Sequence, residues 1–272
     1  MPVDMKNRTV LVTGSTDGIG KETALQLARM DAEVLLHGRS LEKGMHVQEE
    51  IRRATGNDRL QFFQADFSSQ KQVRMMAAEI RESQDHLHVL INNAGTFESE
   101  RRTTEDGLEK TFAVNYLAQF LLTRELLDLM ERCAPARVIN VASVAHWNGA
   151  MNWSNLQGER HYEGFDAYAR SKLAVVLFTY SLARRLNDSG VTANALHPGT
   201  IRTKLLRAGF GDHPGGTPEK GARTPVYLAS SAKVEGMNGK YYEECKAVRS
   251  SPRSYDQELQ EGLWRVSEML IR

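Results

Sequence analysis

The stretch that decides the fold runs from Thr9 to Gly20 and reads TVLVTGSTDGIG. Its first five residues, Thr9–Thr13, are apolar or β-branched, as a buried strand requires. From Ile19 to Met30 the apolar residues recur at helical spacing. The turn between them is Gly14, Ser15, Thr16, Asp17, Gly18, Ile19 and Gly20. Its three glycines permit a tight turn and let main chain come close to a ligand. The N–H groups that open the next helix lack intrahelical acceptors and stand at the positive end of its dipole. Strand, glycine loop and helix together form a seat for a pyrophosphate. Alone, the same residues also describe an ordinary βα turn, so the rest of the chain gives them their weight.

Outward from the loop the alternation continues. Further strands are expected at Glu33–His37, Leu60–Gln64, Leu87–Asn92, Arg137–Ala142, Val191–His197 and Gly239–Tyr242. Helices are expected over Leu41–Ala54, Gln70–Ser83, Asp106–Arg132, a segment ending near Leu186, a segment opening at Pro218, and Tyr255–Leu270. Proline suits a first turn. The pattern implies βαβ units: an α/β fold with a doubly wound, Rossmann-type, mostly parallel sheet of about seven strands, in a single domain over residues 1–272. The segments 144–164 and 200–217 read as loops that carry substrate contacts.

Composition narrows the function. Lys and Arg number 35 against 34 Asp and Glu, a net charge of +1, which lacks the basic bias of a dedicated nucleic-acid binder. Cys133 and Cys245 are the only cysteines; with no CxxC spacing they suggest a reducing compartment. No apolar run approaches the ~20 residues of a membrane helix, and a strand begins too early to leave room for a signal peptide. The expectation is a cytoplasmic protein with no membrane or nucleic-acid partner. The eight histidines form no ligand set. His86 and His88 read as exposed, His146 as a solvated loop residue, and no metal is expected.

The second decisive stretch is DAYARSKLAV, Asp166–Val175. It places Tyr168 and Lys172 one helical turn apart, about 6 Å along the axis. A surface pair is the bland explanation. The sharper one is chemical: a phenol with a pKa near 10 must titrate closer to neutrality to exchange a proton with a carbonyl or alcohol, and an adjacent ammonium favours that. Ser143 ends the fifth strand, where its hydroxyl can hydrogen-bond a substrate oxygen; no GxSxG elbow surrounds it.

The G-x-x-x-G-x-G spacing departs from G-x-G-x-x-G and resembles the short-chain dehydrogenase/reductase family. The other landmarks stand in order: Asp66, NNAG at Asn92–Gly95, Asn115, Ser143, Tyr168-x-x-x-Lys172 and Pro198-Gly199. RVINVASVAH (137–146), NLQGERHY (155–162), SKLAVVLFTYSLARRL (171–186) and LHPGTIRTKL (196–205) resemble more specifically the retinol-dehydrogenase-like branch. The likeness covers nearly the whole chain. It implies that Asp66 and Phe67 border an adenine, that Asn93, Ala94 and Gly95 line the same site, and that Lys172 also binds the nicotinamide ribose. It further implies that Asn115 links Lys172 to water through a proton relay, and that Pro198, Gly199, Ile201 and Thr203 close over the nicotinamide amide and phosphates. Each has a plainer alternative: a helix cap for Asp66, small-residue turns for NAG and PG, a surface position for Asn115. Family members often carry two serines where this chain has Ala142-Ser143; the second is the one carried over.

After the second strand the chain reads His37-Gly38-Arg39-Ser40. The carboxylate that would bind the ribose hydroxyls of NAD is missing, and a guanidinium that suits a 2′-phosphate is present; Lys43 adds charge. NADP(H) is favoured over NAD(H), with Asp17 the dissenting residue. The implied reaction moves a hydride between the nicotinamide and a carbonyl or alcohol substrate, with Tyr168 as general acid/base. Trp147, Met151, Trp153, Leu205 and Phe210 suggest that the substrate is apolar. A non-catalytic NADP-binding regulator is the alternative, although such a protein would be expected to lose Ser, Tyr or Lys. A sugar-nucleotide epimerase would show other glycine spacing and a longer C-terminal part. Relatives often pair as homodimers or homotetramers, for which Leu117, Leu121, Leu122, Val176, Phe178 and Tyr180 offer either a face or simply core.

Overall fold

Side chains that alternate along the strands separate into two apolar cores, one on each side of a sheet. The computed structural model of the chain describes residues 5–271. In β1 (Thr9–Val12), Val10 and Val12 enter one core and Leu11 the other; in β2 (Glu33–Gly38), Val34 and Leu36 separate from Leu35 in the same way. This is the period of two of an extended chain, buried on both faces as in a parallel sheet. The remaining strands are β3 (Leu60–Gln64), β4 (Val89–Asn92), β5 (Ala136–Val141), β6 (Val191–His197), β7 (Tyr241–Glu243) and β8 (Lys246–Val248). Their order is β3-β2-β1-β4-β5-β6-β7-β8, parallel as far as β7, with β8 antiparallel to β7. The described residues thus form eight strands, close to the seven or so expected. The last is a three-residue, exposed edge strand. It follows a turn at Glu244-Cys245, whose φ angles are 46° and 63°. Neither residue is the Gly or Asn such a turn usually shows, so the sequence carried no hairpin signal.

One face is covered by α1 (Gly18–Arg29), α2 (Leu41–Thr55) and α8 (Pro218–Ser230). The other is covered by α3 (Gln70–Ser83), the segment Lys110–Glu131, α6 (Gly164–Arg185) and α9 (Gln257–Leu270). Local chemistry sets their ends: the side chains of Asp17, Ser40, Ser69, Thr217 and Asp256 accept from first-turn N–H groups, and α2 stops at Gly56 in the left-handed region. Within the segment expected as one helix over Asp106–Arg132, helix begins only at α4 (Lys110–Phe112). A π turn, Ala113–Leu117, follows, and then α5 (Ala118–Glu131). Glu109, fully buried, caps the start by accepting from Thr111 N and Phe112 N. A 3.6-residue period cannot report the single extra residue of a π turn.

Leu117, Leu121, Leu122, Val176, Phe178 and Tyr180, read as either an association face or core, are 0–7% exposed within one chain. Part of their cover is α9. Trp264 meets Phe120 and Phe178 at ring separations of 5.0 and 6.0 Å, and Tyr116 and Ser267 share a 2.6 Å hydrogen bond. Between the halves of the sheet, the Asn92 amide donates to Thr123 Oγ1 (3.0 Å) and Asn140 Oδ1 (2.8 Å), and the Asn140 amide to Thr179 Oγ1 (2.9 Å). These bonds join β4, β5, α5 and α6 through the core. Among the described residues no helix is long and apolar enough to cross a membrane, and no group of three His, Cys, Asp or Glu side chains is placed to hold a metal ion.

Candidate active site

The carboxyl ends of β1, β2, β4, β5 and β6 surround a cleft of about 1350 Å³. It lies where the strand order reverses between β1 and β4, the position at which doubly wound sheets bind ligands. The glycine loop forms one wall. Gly14 has φ +65°, and a Cβ there would lie 2.9 Å from Ala94 Cα; one on Gly20 would lie 2.3 Å from the Gly14 carbonyl oxygen. The loop therefore closes on its own main chain, with the first-turn N–H groups of α1 beyond it. Thr16, Asp17, Gly18 and Ile19 also line the cleft. Ser15 does not. It is fully buried, its N–H donates to the His37 carbonyl and its Oγ accepts from His37 N.

Two residues that sequence reasoning passed over hold this wall. The Thr13 hydroxyl donates to Ile91 O and accepts from Asn93 N and Ala94 N, so the ends of β1 and β4 are tied together. Asn93, Ala94 and Gly95 line the cleft from that side, and the Asn93 amide returns a bond to Thr13 O at 2.8 Å. His37, 2% exposed, accepts from Gly14 N at Nδ1 (3.0 Å), leaving Nε2–H to donate to Ala65 O (3.1 Å). Burial pushes its pKa down to about 4. It also stacks on Phe67 at 4.1 Å. Asp66 lines the cleft beside Phe67 and accepts from Ser68 N and Oγ; the cap of α3 is Ser69 instead.

At the far end stand Arg39, Ser40 and Lys43. Ser40 caps α2. Arg39 is exposed, and its guanidinium makes no hydrogen bond or ion pair among the described residues, so it is available to an anion. The dissenting Asp17 is answered by Lys204, whose Nζ lies 2.5 Å from its carboxylate. That contact and the Gly18 N–H hold the Asp17 pKa below its usual range. Both side chains are mostly exposed, so the pair contributes little to stability. Lys204 opens α7 (Lys204–Phe210), none of whose residues is buried. Thr203 caps α7 and touches the loop at Gly18. Pro198, Gly199 and Ile201 complete this side of the cleft.

Tyr168 and Lys172 come together inside the cleft, 6% and 3% exposed. The Lys172 Nζ lies 5.6 Å from the Tyr168 ring centroid and donates to Val141 O at 2.9 Å. Burial pushes the phenol up to about 12, against a downward pull from the Ser143 hydroxyl, and pushes the ammonium down to about 8. Desolvation, the largest cause, thus opposes the acidification of the phenol expected from its neighbours. Ser143 is extended at the end of β5, and its Oγ accepts from Ala145 N at 3.2 Å. Asn115 lies behind the cleft, fully buried. Its Oδ1 accepts from Thr96 N, and its Nδ2 donates to Thr96 O and Ser171 Oγ; no hydrogen bond joins it to Lys172 among the described residues. Around Tyr168 the rings of Phe97 and Phe210 stand 5.9 and 6.4 Å away, and Phe165 meets Phe210 at 5.9 Å. Trp147 and Leu205 also line the cleft. Met151 packs on the core and Trp153 against Gly262 of α9. Phe97 and Phe165 lie outside both expected substrate loops, and only the fold brings them in.

A nicotinamide dinucleotide suits these residues. A glycine cradle that a Cβ would fill meets first-turn N–H groups, the Arg39 guanidinium stands at the far end without a partner among the described residues, and the buried Lys172 ammonium has one acceptor among them for its three donors.

Known proteins agree with this layout. The profile of the short chain dehydrogenase family matches residues 8–210. Human retinol dehydrogenase 11 is 39% identical over 278 residues, 97% of this chain and 86% of the relative. An uncharacterized protein of Mycobacterium paratuberculosis superposes with a TM-score of 0.84 at 30% identity, covering 99% of this chain and 95% of its own. The Pseudomonas aeruginosa RhlG/NADP active-site complex superposes at 0.72 with 29% identity, covering 88% and 94%. The glycine cradle, the strand order and the Tyr168–Lys172 pair therefore belong to a member of the short-chain dehydrogenase/reductase family, in its retinol-dehydrogenase-like branch.

Proposed function

We propose that this oxidoreductase of CH–OH and C=O groups uses NADP(H), that Tyr168 is its general acid/base, and that its substrate is an apolar carbonyl compound or the matching alcohol. The observation that carries the reading is Lys172: a buried ammonium beside the Tyr168 ring with donors left over and a phosphate cradle on the same cleft. When bound, the coenzyme supplies the hydride and, oxidised, a positive ring. The chain's residues supply the rest. Gly14, Gly18, Gly20 and the start of α1 seat the pyrophosphate. Arg39, with Lys43, neutralises the 2′-phosphate. Lys172 grips a ribose and holds positive charge beside the phenol. Ser143 donates to the substrate oxygen, and Tyr168, whose burial keeps the phenol protonated, gives its proton to that oxygen during carbonyl reduction. Phe97, Phe165, Phe210 and Leu205 exclude water around it. The NADP seen in the RhlG complex and the retinol dehydrogenase name of the relative support coenzyme and substrate class.

The test is NADPH oxidation against a panel of apolar aldehydes and ketones. Tyr168→Phe is expected to lower kcat about 10²-fold or more with NADPH still bound. Arg39→Asp is expected to raise KM for NADPH about tenfold or more while barely changing NADH; equal losses for both coenzymes would contradict the role of Arg39.

A further inference from the structure

We propose that His146 is a positioning residue for Ser143, and that it works by hanging the serine's carbonyl on the C-terminal segment. The inference rests on the role given to Ser143 above. His146 is fully buried, in the 3-10 turn Val144–Asn148 directly after the serine. Its Nδ1 lies 2.7 Å from Ser143 O, and its Nε2 accepts from Ser251 N at 3.0 Å. A backbone N–H pointing at Nε2 requires a bare nitrogen there. The ring is therefore neutral with its proton on Nδ1, and that proton goes to Ser143 O. Tyr241 packs on the ring at 4.8 Å. The sequence read this histidine as solvated; it is an internal brace.

The far end of the brace is itself fixed. Arg253 donates to Gly149 O at 2.8 Å, closing a second tie between the same two segments. Ser250 Oγ bonds Tyr180 on α6 (2.6 Å) and Ser254 Oγ (2.7 Å), and Gln260 of α9 donates to Ser254 O. The neighbouring Val144 N–H donates to His197 Nδ1 at 3.3 Å. The serine's main chain is thus held on both sides, and on one side by residues 250–254. Those residues lie beyond the 8–210 that the family profile covers. An oxyanion-directed hydroxyl must be placed closely, since small displacements carry large rate penalties.

Three variants separate this from simple packing. His146→Phe keeps a ring and removes both bonds. His146→Asn keeps a donor for Ser143 O. Ser251→Pro removes one N–H where φ is already −58°, an angle proline adopts. His146→Phe is expected to lower kcat about tenfold, with NADPH affinity and KM within about twofold. Asn should restore most of the loss, and Ser251→Pro should lower kcat in the same direction. Nitrogen-15 NMR of the histidine rings needs no substrate: the wild type should show the Nδ1–H form at His146, and Ser251→Pro should release it. Wild-type kcat in both His146→Phe and Ser251→Pro, or an Nε2–H ring in the wild type, overturns the proposal, even if His146→Phe lowers the Tm. If His146→Phe does not fold, Ser251→Pro and the NMR tautomer decide. Ser143→Ala is the control: an inactive Ser143→Ala beside a fully active His146→Phe sinks this inference alone, whereas an active Ser143→Ala removes the role of the serine and this inference with it.

Discussion

His37 sits between two parts of the coenzyme wall as a neutral strut, accepting a hydrogen bond from the Gly14 N–H and donating one to Ala65 O. Replacing it with leucine leaves a buried acceptor without a partner, at roughly 1–3 kcal/mol, and a part-buried donor, at about 1 kcal/mol. His37→Leu should therefore lower stability by about 2–4 kcal/mol in urea unfolding and weaken NADPH binding by loosening the loop at Gly14. In the sequence His37 only marked the place where a carboxylate was missing. That Arg39, Tyr168, Lys172 and Ser143 share one cleft was legible because each stands in a local motif at a strand end or on one helix face. His37, Thr13 and His146 were not, because each works through a partner at least 23 residues away in another segment of the chain. Ser15 and Asn115 show the converse: they stand in the right motifs, but their side chains are engaged inside the protein.

Among the elements, α9 shows how far periodicity reaches. Its amphipathic pattern predicts a helix, yet only the assembled chain shows that Trp264 lies over Phe120 and Phe178 while Arg185 lies 4.2 Å above its ring. Trp264 is half-buried, so Trp264→Ala should cost about 2 kcal/mol, less than a fully buried aromatic. Denaturant unfolding measures this, and a change below about 0.5 kcal/mol would mean that α9 is not stabilised through that ring. The helix over 110–131 teaches the same lesson from the other side. Its apolar residues fix that it is helical, but the cap at Glu109 and the π turn arise from contacts no local pattern carries: Gln157 Oε1 accepts from Glu109 N, and Asn115 clamps Thr96.

For the whole molecule, doubly wound topology was readable because each strand and helix obeys its own period and parallel crossovers leave few arrangements. What was not readable is how burial redistributes protons. His37, His88 and His197 are all pushed down to about 4, first by desolvation; His88, read as exposed, is half-buried and accepts from Thr9 N. Between about pH 6.5 and 4 the unfolded chain binds protons that these folded imidazoles refuse. Stability should therefore rise with pH across that window and be lost as pH falls through about 4. His37 alone accounts for roughly 3 kcal/mol. Urea midpoints from pH 4 to 7 should show the slope, and His37→Leu should flatten it; a flat wild-type profile would show that the rings are charged inside the fold.

The seven residues of α7 cover the cleft with no buried side chain of their own. They are fastened by a solvent-exposed ion pair, a threonine cap, the approach of Gly209 to Phe97 and the ring contacts of Phe210 with Phe97, Phe165 and Tyr168. Beneath them, the Asn92–Asn140 rungs hold the two halves of the sheet in register. The roof thus has the least to lose by detaching, and the floor the most. The amides of α7 should therefore trade hydrogen with solvent well before those of β4 and β5, which leaves the rim of the cleft free to breathe over a fixed base.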